Sequence, residues 1–303
     1  MASIIDLLTL QEMTLSKQVI HEYINLKIEQ KESLDQFNFT NDNSIYRAVK
    51  YACYELGFIN QDAELVAKAW QYKTTSHFDI KNWPSRIEDF QINIDSFQAI
   101  APCPKSLGLY VVAPTADWVG RLAKAGVPTI QLRFKSNDPD LIQKEVKQAI
   151  FNVKDSSSRL FINDYWELAI ENNAYGVHLG QDDLSTANMK TIHDAKIRLG
   201  ISTHGYAEML RAIQFRPSYI ALGAIFPTTL KTMETAPQGI ARLKLYSQLL
   251  KDYPLVAIGG INEDNIEQVS QCEIGSVALV RAVIQADDYL SAIKKLNSQI
   301  RSV

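Results

Sequence analysis

Cysteine is scarce: Cys53, Cys103 and Cys272 are the only three in 303 residues. An odd, widely spaced trio excludes a disulfide framework and a cysteine-rich zinc site, and it fits a reducing, cytoplasmic setting. Long apolar runs are also missing. None reaches the roughly 18 residues that a bilayer-spanning helix needs. The opening residues Met1-Ala2-Ser3-Ile4-Ile5-Asp6 lack a basic segment and an uninterrupted apolar one, so no signal peptide is expected. Excess positive charge is absent too. A net charge of −3 and a pI near 6.0 offer no global attraction to nucleic acid or to an anionic membrane, so basic residues matter only as local clusters. No glycine-rich GxGxxG turn occurs, and no Ser–His–Asp or Cys–His arrangement suggests a covalent enzyme intermediate.

What is present is enough apolar material for a sizeable core: 46% of residues are hydrophobic. Residues 1–100 read as a helical region. Its clearest segment runs from Ser44 to Tyr72, with Ile45, Ala48, Val49, Ala52 and Leu56, a break at Gly57, then Leu65, Val66, Ala69 and Trp70. The proline-marked stretch from Trp83-Pro84 to Pro104 reads as an extended linker. From Gly108 the rhythm becomes strand, helix, strand, helix. Strands are predicted at 108–113, 129–134, 159–163, 176–179, 198–202, 219–226, 255–259 and 276–283, with amphipathic segments between them. Eight such units imply a (β/α)8 TIM barrel over residues 105–303, with its active site at the carboxyl ends of the strands. A doubly wound open sheet is the alternative, but it normally has fewer strands and a glycine-rich first turn.

Those strand ends carry chemistry. Ile162-Asn163-Asp164 and Leu179-Gly180-Gln181-Asp182-Asp183 each deliver a carboxylate, and two acids at neighbouring strand ends can hold a divalent metal; each could instead cap the following helix. Alternation along Gln131-Leu132-Arg133-Phe134-Lys135 sends the polar triplet to one side, and two cations in a confined mouth suit an anionic, phosphate-bearing substrate. A Mg²⁺ ion on a diphosphate reconciles acids and cations in one place. Ser202 could donate a hydrogen bond to a phosphate oxygen. His178, inside an apolar run, reads as a hydrogen-bonded core residue, and His204 as either an acid/base group or a helix-start residue. The loop Pro227 to Pro237 brings Thr228 and Lys231, and reads as a mobile cover that carries a cation onto the substrate. Gly259-Gly260 and Arg281 close strands 7 and 8, the usual phosphate corner of such a barrel.

Taken together and in order, Gln131–Ser136, Ile162–Asp164, Gly176–Asp183, Gly200–His204, Pro227–Lys231 and Ala257–Ile261 resemble the thiamine phosphate synthase family over residues 105–290. The resemblance implies an enzyme that joins a hydroxymethylpyrimidine diphosphate to a thiazole phosphate and releases diphosphate. It implies Mg²⁺ on Asp164 and Asp183, and diphosphate on Arg133, Lys135, Asn163, Ser202 and Lys231. It further implies the pyrimidine against Gln131 and Thr228, and the thiazole phosphate near Gly260. Asp182 is left as a supporting or capping residue. Three positions depart from the family pattern: Tyr165 stands where Arg is usual, Leu230 where a hydroxyl residue is usual, and Arg281 where a small residue is usual. Arg281 is expected to compensate beside the thiazole phosphate. Residues 51–70 faintly resemble the last helices of hydroxymethylpyrimidine phosphate kinases, without a kinase core; a relic, a docking role or homo-oligomerisation is what that leaves. The expected partners are small molecules, not nucleic acid or membrane. The competing readings are a thiazole tautomerase, using His204 as acid/base, and a non-catalytic phosphate-ligand sensor.

Overall fold

A computed structural model of the chain describes residues 7–29, 32–33, 37–74, 77–229 and 235–300. They form two compact units. The first takes the described residues of Met1–Ser96 with Gly205–Leu210 and Gln248–Leu250; the second takes the remainder from Phe97 onward.

The first unit is built on α1 (Leu10–Glu22), α2 (Ser44–Glu55) and α3 (Asn60–Lys73). Each start has a local cause. Thr9 and Glu12 form a capping box on α1, and the Asn43 side chain accepts the N–H groups of Ile45 and Tyr46 on α2. Gly57 at φ +80° supplies the left-handed residue that separates α2 from α3. Tyr46, Val49, Cys53, Val66 and Trp70, spaced at helical intervals, are fully buried. The stretch after Trp83 is not simply extended. It contains two 3-10 turns, Ile87–Phe90 and Ile94–Phe97, and Trp83 is buried with its ring 4.6 Å from Tyr23 and 5.6 Å from Trp70. Two aromatic partners outweigh the local preference of Pro84 for an open chain.

In the second unit eight parallel strands close into a barrel in chain order. They are β1 (Gly108–Ala113), β2 (Thr129–Leu132), β3 (Arg159–Asn163), β4 (Gly176–Leu179), β5 (Arg198–Thr203), β6 (Tyr219–Leu222), β7 (Leu255–Ile258) and β8 (Ser276–Leu279). Along the chain the helices between and after them are α4 (Ala116–Lys124), α5 (Pro139–Val153), α6 (Trp166–Glu171), α7 (Met189–Asp194), α8 (Tyr206–Ala212), α9 (Gly239–Leu249), α10 (Ile266–Ser270), α11 (Arg281–Ile284) and α12 (Tyr289–Gln299), of which the first five residues of α8 and the last two of α9 fall in the first unit. Sequence signals explain several starts: Thr115 caps α4, Asp138 followed by Pro139 opens α5, Asn188 caps α7 and Asp288 caps α12.

Four strands end earlier than expected, β7 by the single residue Gly259 and the other three by more. β2 stops at Leu132 and β6 at Leu222, where the laddered pairs with their neighbours run out. β8 stops at Leu279 because Val280, at φ −124° and ψ −83°, turns the chain into α11. Arg281 is therefore the first residue of a helix rather than the end of a strand. Alternation points Tyr110, Val112, Phe161, Tyr219, Ala221, Val256 and Ala278 into the lumen, where they pack as one cluster. Two glycines make room for its rings. A Cβ on Gly176 would lie 2.3 Å from the Phe161 ring, and one on Gly200 would lie 2.1 Å from that of Tyr219.

Candidate active site

The carboxyl end of the barrel gathers polar side chains above this aromatic plug. Asp164 directly follows β3 and sits at φ +64°, a left-handed conformation that Asp tolerates better than most residues. Its N–H bonds to the His178 carbonyl at 3.0 Å, so the end of β3 is held against β4. The Asp164 carboxylate is paired with Lys135, which lies in the loop after β2. Asp183 lies just beyond β4, its carboxyl close enough to Asp164 to feel its charge and accepting the Gly180 N–H at 2.9 Å. Burial pushes the Asp183 carboxyl above its ordinary range; the Gly180 N–H opposes this, and the neighbouring Asp164 charge raises it further.

Two neighbouring acids, only one of them paired with a lysine, leave a local need for cationic charge, and carboxylate oxygens are what a hard divalent ion takes. Among the described residues no cluster of three or more His, Cys, Asp or Glu side chains is arranged to hold a metal. The pair would thus serve as a half-site, completed by ligand or water oxygens. Asp182, expected to support or cap, makes no side-chain capping bond at the turn it opens.

The other expected residues fall as follows. Gln131 is buried within β2, whereas Arg133 and Lys135 are exposed beyond its end. Arg133 keeps one ladder-like bond, its N–H to the Ala113 carbonyl at 2.9 Å. Asn163 is buried at the last position of β3 and pairs in register with His178 of β4. Ser202 on β5 is half-buried, and its carbonyl accepts from Gln181 Nε2 at 2.7 Å. His178 is indeed a hydrogen-bonded interior residue, with Nε2 2.7 Å from Ser202 Oγ and Nδ1 2.6 Å from the Tyr219 hydroxyl. His204 follows β5 directly and is half-buried. Thr228 is half-buried in the loop after β6; Leu230 and Lys231 lie outside the described residues.

Gly259 and Gly260 have φ of +104° and +65°. A Cβ on Gly260 would stand 2.5 Å from the Pro227 carbonyl oxygen, and one on Gly259 2.5 Å from Ala224 Cβ. Close packing against the segment after β6 therefore demands both glycines before any ligand is considered. Arg281 reaches across to that same segment and donates from Nη1 to Thr229 Oγ1 at 3.0 Å. Tyr165, the residue standing in place of an arginine, uses its hydroxyl to donate to the Phe134 carbonyl at 3.1 Å, which braces the loop carrying Arg133 and Lys135.

Residues 109–283, which span the barrel from β1 into α11, match the family description thiamine monophosphate synthase. The chain belongs to the thiamine monophosphate synthase family. It is 51% identical over 193 residues to the thiamine-phosphate synthase of Serratia proteamaculans, covering 64% of this chain and 91% of that one. It is 48% identical over 193 residues to that of Neisseria meningitidis, covering 64% and 94%. Among solved structures, thiamine phosphate pyrophosphorylase from Pyrococcus furiosus superposes with a TM-score of 0.57 at 26% identity, over 64% of this chain and 95% of that one. The (β/α)8 architecture expected from the strand rhythm is thus present in the family to which the chain belongs.

Two residues of this thiamine monophosphate synthase fold escaped the sequence reading. Tyr110 and Tyr219 sit within apolar strands and look like core fillers. Their hydroxyls are 2.8 Å apart, and Gln131 Nε2 donates to that of Tyr110 at 2.9 Å. The available signal was the combination of a phenol with the inward phase of its strand, since a buried Tyr hydroxyl requires a partner.

Proposed function

We propose that the protein is a thiamine-phosphate synthase, which condenses 4-amino-2-methyl-5-hydroxymethylpyrimidine diphosphate with thiazole phosphate to give thiamine phosphate and diphosphate. The observation that carries this reading is the Lys135–Asp164–Asp183 cluster at the ends of β2, β3 and β4, in a chain of this family. In the proposed reaction the bond from the pyrimidine methylene to the diphosphate oxygen breaks first, and the electron pair leaves with diphosphate. The thiazole nitrogen then donates its lone pair to the methylene carbon. Neither step needs a strong base; the demand is for charge stabilisation on the leaving group.

Asp164 and Asp183 would hold Mg²⁺, which when bound supplies positive charge to the departing diphosphate oxygens. Arg133 and Lys135, both exposed at the barrel mouth, would bind the same oxygens, joined by Asn163, Ser202 and Lys231. Gln131 and Thr228 would orient the pyrimidine. Gly260 would let the thiazole phosphate approach the backbone, with Arg281 supplying its countercharge. The three cysteines, none in a disulfide, suit a cytoplasmic location, and no helix among the described residues is long and apolar enough to cross a membrane.

The test is to mix the purified protein with both substrates and Mg²⁺ and to follow thiamine phosphate and diphosphate together. Equimolar appearance of both products is expected. Tight binding of both substrates with no product would replace this reading with the phosphate-ligand sensor.

A further inference from the structure

Five side chains from five strands form one unbroken line of hydrogen bonds through the barrel. Gln131 Nε2 donates to the Tyr110 hydroxyl at 2.9 Å; the Tyr110 and Tyr219 hydroxyls are 2.8 Å apart; the Tyr219 hydroxyl is 2.6 Å from His178 Nδ1; and His178 Nε2 is 2.7 Å from Ser202 Oγ. The two phenols are 1% and 0% exposed, so water cannot substitute for a missing partner. The two ends of the line are residues proposed above to touch opposite parts of one substrate: Ser202 the diphosphate, Gln131 the pyrimidine.

Proton counting gives this line a direction. Each hydroxyl has one proton, and a neutral imidazole has one N–H. A phosphate oxygen at Ser202 accepts only, so Ser202 must give its proton outward and accept from His178 Nε2–H. His178 Nδ1 is then an acceptor and takes the Tyr219 proton. The Tyr219 oxygen accepts from Tyr110, whose oxygen accepts from the Gln131 amide nitrogen. This leaves Gln131 Oε1 facing away from the phenols. Reversing the Ser202 bond would reverse every bond behind it and present the Gln131 amide nitrogen instead.

We propose that Tyr110, Tyr219 and His178 are positioning residues that transmit the acceptor character of the diphosphate to Gln131, fixing its carbonyl outward so that the site selects a pyrimidine bearing an amino group and rejects its oxo isostere. The proposal deepens the synthase reading and rests on it. Gln131 by itself could serve either isomer by rotating its amide; tied through this line to an anion on Ser202, it cannot. Tyr110, Tyr219 and His178 touch neither substrate in this scheme.

The test is calorimetric. Dissociation constants are measured, with Mg²⁺ present, for the 4-amino pyrimidine diphosphate and for its 4-oxo analogue. Wild-type protein should favour the amino form by at least about 100-fold, since a polar site facing the wrong partner is strongly discriminating. Tyr219→Phe and Tyr110→Phe keep the ring and each remove the two bonds its hydroxyl makes in the line; each should bring the ratio within about tenfold, with thiazole phosphate affinity close to wild type. If the tyrosines only fill space, the ratio stays at its wild-type value, and the proposal falls. Should neither variant fold, wild-type protein that binds both diphosphates equally overturns it directly. The two readings separate cleanly. Equal binding accompanied by thiamine phosphate formation removes the directional line and leaves the synthase. Failure to bind either diphosphate removes the synthase reading, and with it this proposal.

Discussion

Asp164 does two jobs with one residue, and they can be separated. Its backbone is left-handed, and the local chain is tied by the N–H of Tyr165 to the Asn163 carbonyl at 2.8 Å and by that of Trp166 to the Asp164 carbonyl at 2.7 Å. Asn accepts a positive φ as readily as Asp, whereas Ala pays about 1 kcal/mol or more for it. Asp164→Asn should therefore melt within a few degrees of wild type yet lose activity by about 100-fold, the usual scale for removing a charge-stabilising group. Asp164→Ala should lose both activity and melting temperature. Thermal melts beside the coupled product assay decide it; an active Asp164→Asn enzyme would move the metal assignment elsewhere. Arg281 is the second test at this scale. Its bond to Thr229 places a guanidinium between the segment after β6 and the start of α11, the corner expected to receive the thiazole phosphate. Arg281→Ala should raise KM for thiazole phosphate about tenfold and leave kcat and the KM for the pyrimidine diphosphate nearly unchanged, a loss of uniform binding. An unchanged KM removes Arg281 from that site.

At the scale of strands, small residues opposite large ones decide what fills the barrel. Gly200 on β5 exists beside Tyr219 on β6 because the ring occupies the space of the absent Cβ. The obstruction is a buried ring hydrogen-bonded at its hydroxyl, which cannot swing aside, so Gly200→Ala should destabilise the protein by about 1–3 kcal/mol, read as a lowered urea midpoint. A midpoint equal to wild type would show that the ring can relocate. The same interior explains how far the sequence could be read. Strand order, strand starts and the polar residues at strand ends were legible, because alternation and strand-end chemistry are local. Strand ends were overrun at 134, 226, 283 and, by one residue, 259, and β5 runs one residue past the expected 202; apolar alternation continues past the last residue that can find a ladder partner. The Tyr110–Tyr219 contact was invisible: it joins residues 109 positions apart, each looking like an ordinary core aromatic. Gly259-Gly260 was read as a phosphate cradle, and its first cause is packing against the segment after β6.

On the scale of the whole chain, the family match begins at residue 109, so the first unit needs its own account of stability. That unit is held by more than its apolar face. Lys50, whose side chain is 1% exposed, pairs with Glu64 at 2.6 Å; Thr40 Oγ1 donates to the same carboxylate at 2.6 Å, Tyr46 donates to it as well, and Lys68 pairs with it at 2.9 Å. Helical periodicity predicted the buried face of this region but not the cluster, since a lysine inside a helix reads as solvated until its burial is seen. Burial alone would raise the Glu64 carboxyl; the bonds from Lys50, Thr40, Tyr46 and Lys68 outweigh it and hold the group down at about 2, against an ordinary 4.5. A folded value below the unfolded one means stability that is present in full above about pH 4.5 and lost as the pH falls towards 2. Glu64→Gln removes the charge at every pH and leaves Lys50 buried without its carboxylate, which should cost about 2–3 kcal/mol near neutrality. A protonated Glu64 closely resembles Gln. The gap in urea midpoint between wild type and Glu64→Gln, followed by tryptophan fluorescence, should therefore be widest at pH 7 and shrink steadily below pH 4.5. A gap that stays constant with pH would show that the cluster contributes packing and hydrogen bonds but no charge-linked stability.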